Sequence, residues 1–132
     1  MLRRMARTRQ ILVVEDDEPL RRMIRHALTF AGYDAQEAGD GLHALRIIDS
    51  NPPDAVILDL GLPIVSGQAV LAEIAAHAHT REIPVIIITG TSGEHQALGG
   101  VCVLKKPFEV DQLIKTVRSC VASGEGPFTV SS

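Results

Sequence analysis

A chain of 132 residues, 45% of them apolar and with a net charge of −3, is the size of one globular domain that buries about two-thirds of its unfolded surface. Its apolar runs span a few residues, against about 20 for a membrane-crossing helix, and the amino terminus lacks a signal-peptide stretch, so a cytoplasmic protein with no membrane span is expected. Arg3, Arg4, Arg7 and Arg9 make residues 1–10 a basic N-terminal tail and leave −7 for the rest; that acidic body, with three Phe, one Tyr and no Trp, argues against direct nucleic-acid binding.

In chain order, Ile11–Val14 is a short run of aliphatic, largely β-branched residues, the pattern of a strand covered on both faces. Leu20, Met23, Ile24, Ala27, Leu28 and Ala31 then recur on one helical face, with Pro19 suited to the first turn and Gly32 to the stop. Asp34–Ala38 is a more polar strand that suits a sheet edge, and Leu42–Ile48 is a second helix. Asn51-Pro52-Pro53 precedes the core strand Val56–Leu58, because proline removes a donor and restricts the residue before it. A third helix over Ala69–Ala78 leads through Ile83-Pro84 to the strand Val85–Ile88, and Val101–Leu104 is the fifth strand. Val110, Leu113, Ile114, Val117 and Val121 place a last amphipathic helix over Glu109–Ser123, which leaves 124–132 as a C-terminal tail. Alternating strands and helices imply an α/β fold, a parallel sheet with helices on both faces. Cys102 and Cys120 lie in apolar settings without metal-ligand spacing and are expected as buried free thiols. His26, His43, His77, His79 and His95 are expected to be solvated; His77 and His79, two apart, would point to different sides of a helix.

The residues at the ends of the core strands carry the chemistry: Glu15-Asp16-Asp17 after the first, then Asp59, then Thr89, then Lys105-Lys106-Pro107. In an open parallel sheet the C-terminal strand ends share one rim, where ligands bind, so these residues would converge. Carboxylates there suit Mg²⁺, which takes oxygen ligands and keeps several waters. A carboxylate beside such an ion can be a phosphoryl acceptor, with catalysis supplied by positioning and charge neutralisation. Asp59, alone at the tip of a buried strand, is the natural nucleophile. Polar residues also end strands as simple caps; it is the coincidence of four such features at one rim that points to a site. Like-charged carboxylates raise one another's pKa until a cation binds, so metal affinity should fall as pH falls.

The segments ILVVEDDEPLRR, AVILDLGLPIVSG, PVIIITG and LKKPF resemble the response-regulator receiver family, over about residues 10 to 123. The resemblance implies a three-layer doubly wound fold with the flavodoxin-like strand order 2-1-3-4-5 and a receiver domain over 11–123. By it, Glu15 and Asp16 form the metal pair for Mg²⁺, Asp59 is phosphoacceptor and metal ligand, and the backbone carbonyl of Gly61 is a further ligand. Thr89 would be the switch hydroxyl and Lys106 the phosphate-binding lysine, with a cis bond to Pro107. Pro63 and Gly67 match the family's loop and helix start. The implied partner is a histidine kinase or histidine phosphotransfer protein, the implied state a monomer or weak dimer. The implied chemistry is self-phosphorylation and slow autodephosphorylation, not enzymatic turnover. Without an output domain, the chain would signal by protein–protein interaction or serve as a phosphate shuttle or sink.

Two departures bear on signalling. Only sixteen residues separate Thr89 from Lys106, and Thr91–Gly100 holds three glycines and two apolar side chains, so the fourth helix is expected to be shortened or absent. Val103 stands where family members often place an aromatic residue that moves with the switch threonine. Three other readings compete. Gly39-Asp40-Gly41-Leu42-His43-Ala44 has the form of a dinucleotide fingerprint, but it comes after a polar second strand and not the first. A metal-dependent phosphohydrolase would need a second acid near the nucleophile, where Gly61 stands. A phosphorylation-independent interaction module would suit the altered output face but not the full acceptor set.

Overall fold

The structure, a computed structural model, describes residues 8–90 and 102–123. Five strands, β1 (Gln10–Val14), β2 (Asp34–Ala38), β3 (Ala55–Asp59), β4 (Val85–Thr89) and β5 (Cys102–Lys105), form one sheet in the order β2-β1-β3-β4-β5. Every pairing is parallel. The helices are α1 (Glu18–Phe30), α2 (Gly41–Ser50), α3 (Gly67–Ala76) and α4 (Val110–Ser123). The expected strand order and α/β class are those observed. The expectation of a shortened fourth crossover helix falls on residues 91–101, outside the described residues, as do most of both tails.

Burial on both faces explains the unbroken apolar strands. Leu12 and Val14 of β1 face a core built with Ala44 and Ile48 of α2 and Val70, Leu71 and Ile74 of α3. Ile11 and Val13 face the opposite core, with Ile24 and Leu28 of α1 and Leu113, Val117 and Cys120 of α4. The polar β2 is an edge strand with alternating exposure, as its composition requires.

Local chemistry sets the helix ends. Asp40 Oδ1 accepts from the His43 amide at 2.8 Å to cap α2, and Ser66 Oγ accepts from the Ala69 amide at 3.1 Å to cap α3. The glycine-rich text at Gly39–Ala44 is thereby explained without a nucleotide: a Cβ on Gly41 would lie 2.5 Å from the Val65 carbonyl oxygen, so glycine lets α2 approach the β3–α3 loop. Gly32, at φ 100°, comes just after α1 in the left-handed conformation its type accepts.

Two expectations are corrected. α3 ends at Ala76, so His77 and His79 lie beyond it with ring centroids 5.9 Å apart, not on opposite sides of a helix; both remain more than half exposed. Cys102 and Cys120 are not free thiols but a disulfide, with Cα atoms 6.3 Å apart. Cys102 points to the face of β5 that α4 covers, and Cys120 occupies the inward face of α4. A separation of 18 residues across a strand–helix connection leaves no local motif from which to read the pairing.

Candidate functional site

The C-terminal strand ends converge as the alternation requires. Val14 pairs with Leu58 and Thr89 with Lys105, so Glu15, Asp59, Thr89 and Lys106 emerge at one rim. They line a cleft of about 370 Å³, together with Asp16, Gly61 and Gln68. Glu15, Asp59 and Thr89 are 1%, 5% and 3% exposed, whereas Asp16 and Gly61 face solvent. Lys106 Nζ lies 3.1 Å from Glu15 Oε1 and 3.5 Å from Asp59 Oδ2, an ammonium bridging two buried carboxylates. Its backbone amide donates to the Thr89 carbonyl at 2.8 Å, which ties the lysine to the end of β4, and its bond to Pro107 is cis.

Asp59 Oδ1 accepts the Gly61 amide at 3.0 Å, and Glu15 Oε2 accepts the Asp17 amide at 3.2 Å. Each buried carboxylate is thus fixed through one oxygen by the loop just after it. Its other oxygen lies toward Lys106.

Burial, more than anything else, pushes the Glu15 carboxyl up to about 7, and the charge of Asp59 adds to the rise against the hydrogen bond from Asp17 and the ammonium of Lys106. Burial alone would lower Lys106, but the hydrogen bond and charge of Glu15, then those of Asp59, raise it above its ordinary value. One cation therefore holds together two carboxylates that repel each other.

One oxygen from each of Glu15, Asp16 and Asp59 lies within 4.8 Å of the others. Glu15 Oε1 is buried and accepts no well-aligned hydrogen bond despite its ion pair. Three hard oxygen donors, one of them buried without such a bond, fit a divalent cation of the Mg²⁺ type. Protons would compete with such a cation for Glu15. Since the raised pKa makes metal-free Glu15 largely protonated below about 7 and ionised above it, Mg²⁺ affinity should be about tenfold weaker at about pH 6 than at about pH 8. Calorimetric titration checks this, and equal affinities would refute it. The linked stability has the opposite slope: a folded pKa above 4.5 favours the metal-free fold at low pH, and that advantage is lost as pH rises through about 7.

Sequence reasoning missed what holds the acidic loop. Arg21 of α1, its side chain 15% exposed, donates to the Glu15 carbonyl at 2.9 Å and to Glu37 Oε1 on β2 at 2.7 Å, while Arg25 pairs with Glu37 Oε2 at 2.7 Å. In sequence Arg21 is one more polar residue of an amphipathic helix, and only the neighbouring β2 reveals its partner. Arg21→Ala leaves Glu37 and the Glu15 carbonyl short of a charged donor, which should cost about 2–4 kcal/mol in urea unfolding. Arg21→Lys should recover only part of that, since an ammonium does not reproduce the fork. Gln68 was also missed: it enters the cleft from the first turn of α3, next to Gly67, whose match marks the helix start but not this side chain. Asp17 lines the cleft as well, and Lys105 is exposed outside it.

The family described as response regulator receiver domain matches residues 11–118. Among curated proteins, response regulator MprA of a Mycobacterium species is 32% identical over 126 residues, which cover 89% of this chain and 54% of that protein. The chain spans about half the length of the curated relatives it matches. Chemotaxis protein CheY4 of Vibrio cholerae superposes with a TM-score of 0.80 at 26% identity, covering 86% of this chain and 99% of that one. The receiver domain of a Pseudomonas aeruginosa sensor histidine kinase, solved with a magnesium ion coordinated in its active-site cleft, gives 0.81 at 27% identity over 88% and 99%. A Francisella response regulator receiver domain gives 0.78 at 27% over 89% and 100%.

Proposed function

This chain belongs to the response regulator receiver family, and from that premise we propose that it accepts a phosphoryl group onto Asp59 from a histidine kinase or histidine phosphotransfer protein. The observation that carries this is the setting of Asp59: 5% exposed at the end of β3, 3.5 Å from the Lys106 ammonium, and within reach of the oxygens of Glu15 and Asp16. As a receiver domain of a two-component response regulator it regulates and is not an enzyme in its own right. Among the described residues, no helix is long and apolar enough to cross a membrane.

In this reading a carboxylate oxygen of Asp59 attacks phosphorus, and the bond to the donor's leaving group breaks on the opposite side. The Gly61 amide holds Oδ1 and so sets the plane of the carboxylate. Lys106, which pairs with both Glu15 and Asp59, neutralises charge on the transferred group. Thr89, at the end of the adjacent β4, meets the phosphoryl group as the switch hydroxyl. Glu15, Asp16, Asp59 and the Gly61 carbonyl would hold Mg²⁺, which supplies charge neutralisation and orientation of the phosphoryl oxygens when bound. Attack proceeds from the carboxylate of Asp59, and the Lys106 ammonium 3.5 Å away supplies positive charge beside it.

Residues 11–123 form the receiver unit in this proposal, flanked by the tails 1–10 and 124–132, and the protein works in the cytoplasm as a monomer or weak dimer. Its signal leaves by protein–protein contact or by onward transfer of the phosphoryl group. Incubation with a small phosphodonor and Mg²⁺, with intact mass as the readout, tests the central step. A gain of one acid-labile phosphoryl group is expected; no gain would overturn it.

A further inference from the structure

The disulfide closes a ring of chain from Cys102 to Cys120, and the site lysine lies inside that ring. Cys102 opens β5, an edge strand held by β4 alone, and Cys120 lies on the buried face of α4. The bond therefore fastens the outermost strand of the sheet to the helix that covers it. These are the only two cysteines in the chain, so no other intrachain pairing competes. They are unequal in access: Cys102 is partly exposed, while Cys120 is 4% exposed among Leu113, Val117 and Val121.

Unequal access suits exchange chemistry. A partly exposed thiolate can meet a small disulfide in solvent, and a buried neighbour can then resolve the mixed disulfide. Disulfides inside cells, where they form, are usually transient and redox-responsive.

We propose that Cys102 and Cys120 are a reversible thiol–disulfide couple that locks β5 to α4 when oxidised and frees the ring carrying Lys106 when reduced. The oxidant is a low-molecular-weight disulfide. The Cys102 thiolate attacks one of its sulfurs and releases one small thiol; the Cys120 thiolate then attacks Cys102 sulfur in the mixed disulfide and releases the second. The two protein protons and two electrons end on the two small thiols. The lysine's relevance to phosphoryl binding rests on the function proposed above, but the couple itself does not.

The full chain is equilibrated in glutathione buffers from fully reduced to fully oxidised, free thiols are trapped by alkylation, and intact mass is read. Two alkyl groups are expected under reduced glutathione and none under oxidised glutathione, with the same curve approached from either side. The oxidised form should melt higher by on the order of 10 °C. Hydrogen exchange of backbone amides between residues 103 and 109 should be slower in the oxidised form by about tenfold or more. Cys102→Ser should take up one alkyl group under reduced glutathione and show no redox-dependent melting. Two alkyl groups at every ratio, a bond that opens only on global unfolding, or cross-linked dimers in place of the intrachain bond would each overturn the proposal. So would equal exchange rates in the two forms. None of these readouts uses phosphoryl transfer, so failure here is distinct from failure of Asp59 as acceptor.

Discussion

Asp59→Asn is expected to take up no phosphoryl group under conditions in which the unaltered chain is fully loaded. An amide has the shape of the carboxylate but is no nucleophile at neutral pH, and it can keep the 3.0 Å contact from the Gly61 amide through its own carbonyl oxygen. The fold should therefore survive. Loss of the Asp59 charge also removes one of the influences that raise the Glu15 carboxyl, so that group should titrate closer to the ordinary glutamate range. Intact mass reads the first effect and side-chain NMR of Glu15 the second. A phosphoryl adduct on the Asn variant would place the acceptor elsewhere.

A large loss of stability is expected from Gly67→Ala. A Cβ at this position would sit 2.5 Å from the Asp59 carbonyl oxygen, 2.6 Å from Leu60 Cα and 3.1 Å from the Asp59 carbonyl carbon. All three are backbone atoms, which cannot rotate aside, so the first turn of α3 must back away from the tip of β3. About 3 kcal/mol or more of destabilisation is expected in urea unfolding, with reduced phosphoryl uptake because the displaced tip carries Asp59, the proposed acceptor. Gly61→Ala is the control. There the nearest atom to the new Cβ is Asp59 Oδ1 at 3.7 Å, an ordinary contact, and stability should change little. Equal losses for the two variants would show that the close approach at Gly67 is not what matters.

Much of the fold is legible because its signals are local. The run Val85–Ile88 is a strand whatever its neighbours, and the structure extends it only to Thr89. The steps from Leu20 to Ala31 place a helix that is observed over Glu18–Phe30, with Pro19 in its first turn as expected and Ala31 at its C-cap. α3 stops before the expected Ala78, since His77 has already turned to extended backbone. The gathering of Glu15, Asp16, Asp59, Gly61, Thr89 and Lys106 in one cleft comes from topology, because parallel strands deliver their C-terminal ends to one side. The illegible part consists of contacts between side chains far apart in sequence: Arg21 with Glu37, and Cys102 with Cys120. Neither pair lies within one element, so no periodicity marks it. Each depends on two elements being placed first.

The strand order also governs how the chain can be made. Glu15 and Asp59 are brought together when β1 pairs with β3, but their ammonium arrives with β5, on the far side of β4. A sheet assembled as the chain leaves the ribosome would, until its last strand docks, hold the two acids side by side without the Lys106 ammonium. Such a precursor is penalised in proportion to its burial. Docking of the final strand and helix is then drawn by charge as well as by apolar contact, and the acidic rim helps decide when folding is complete.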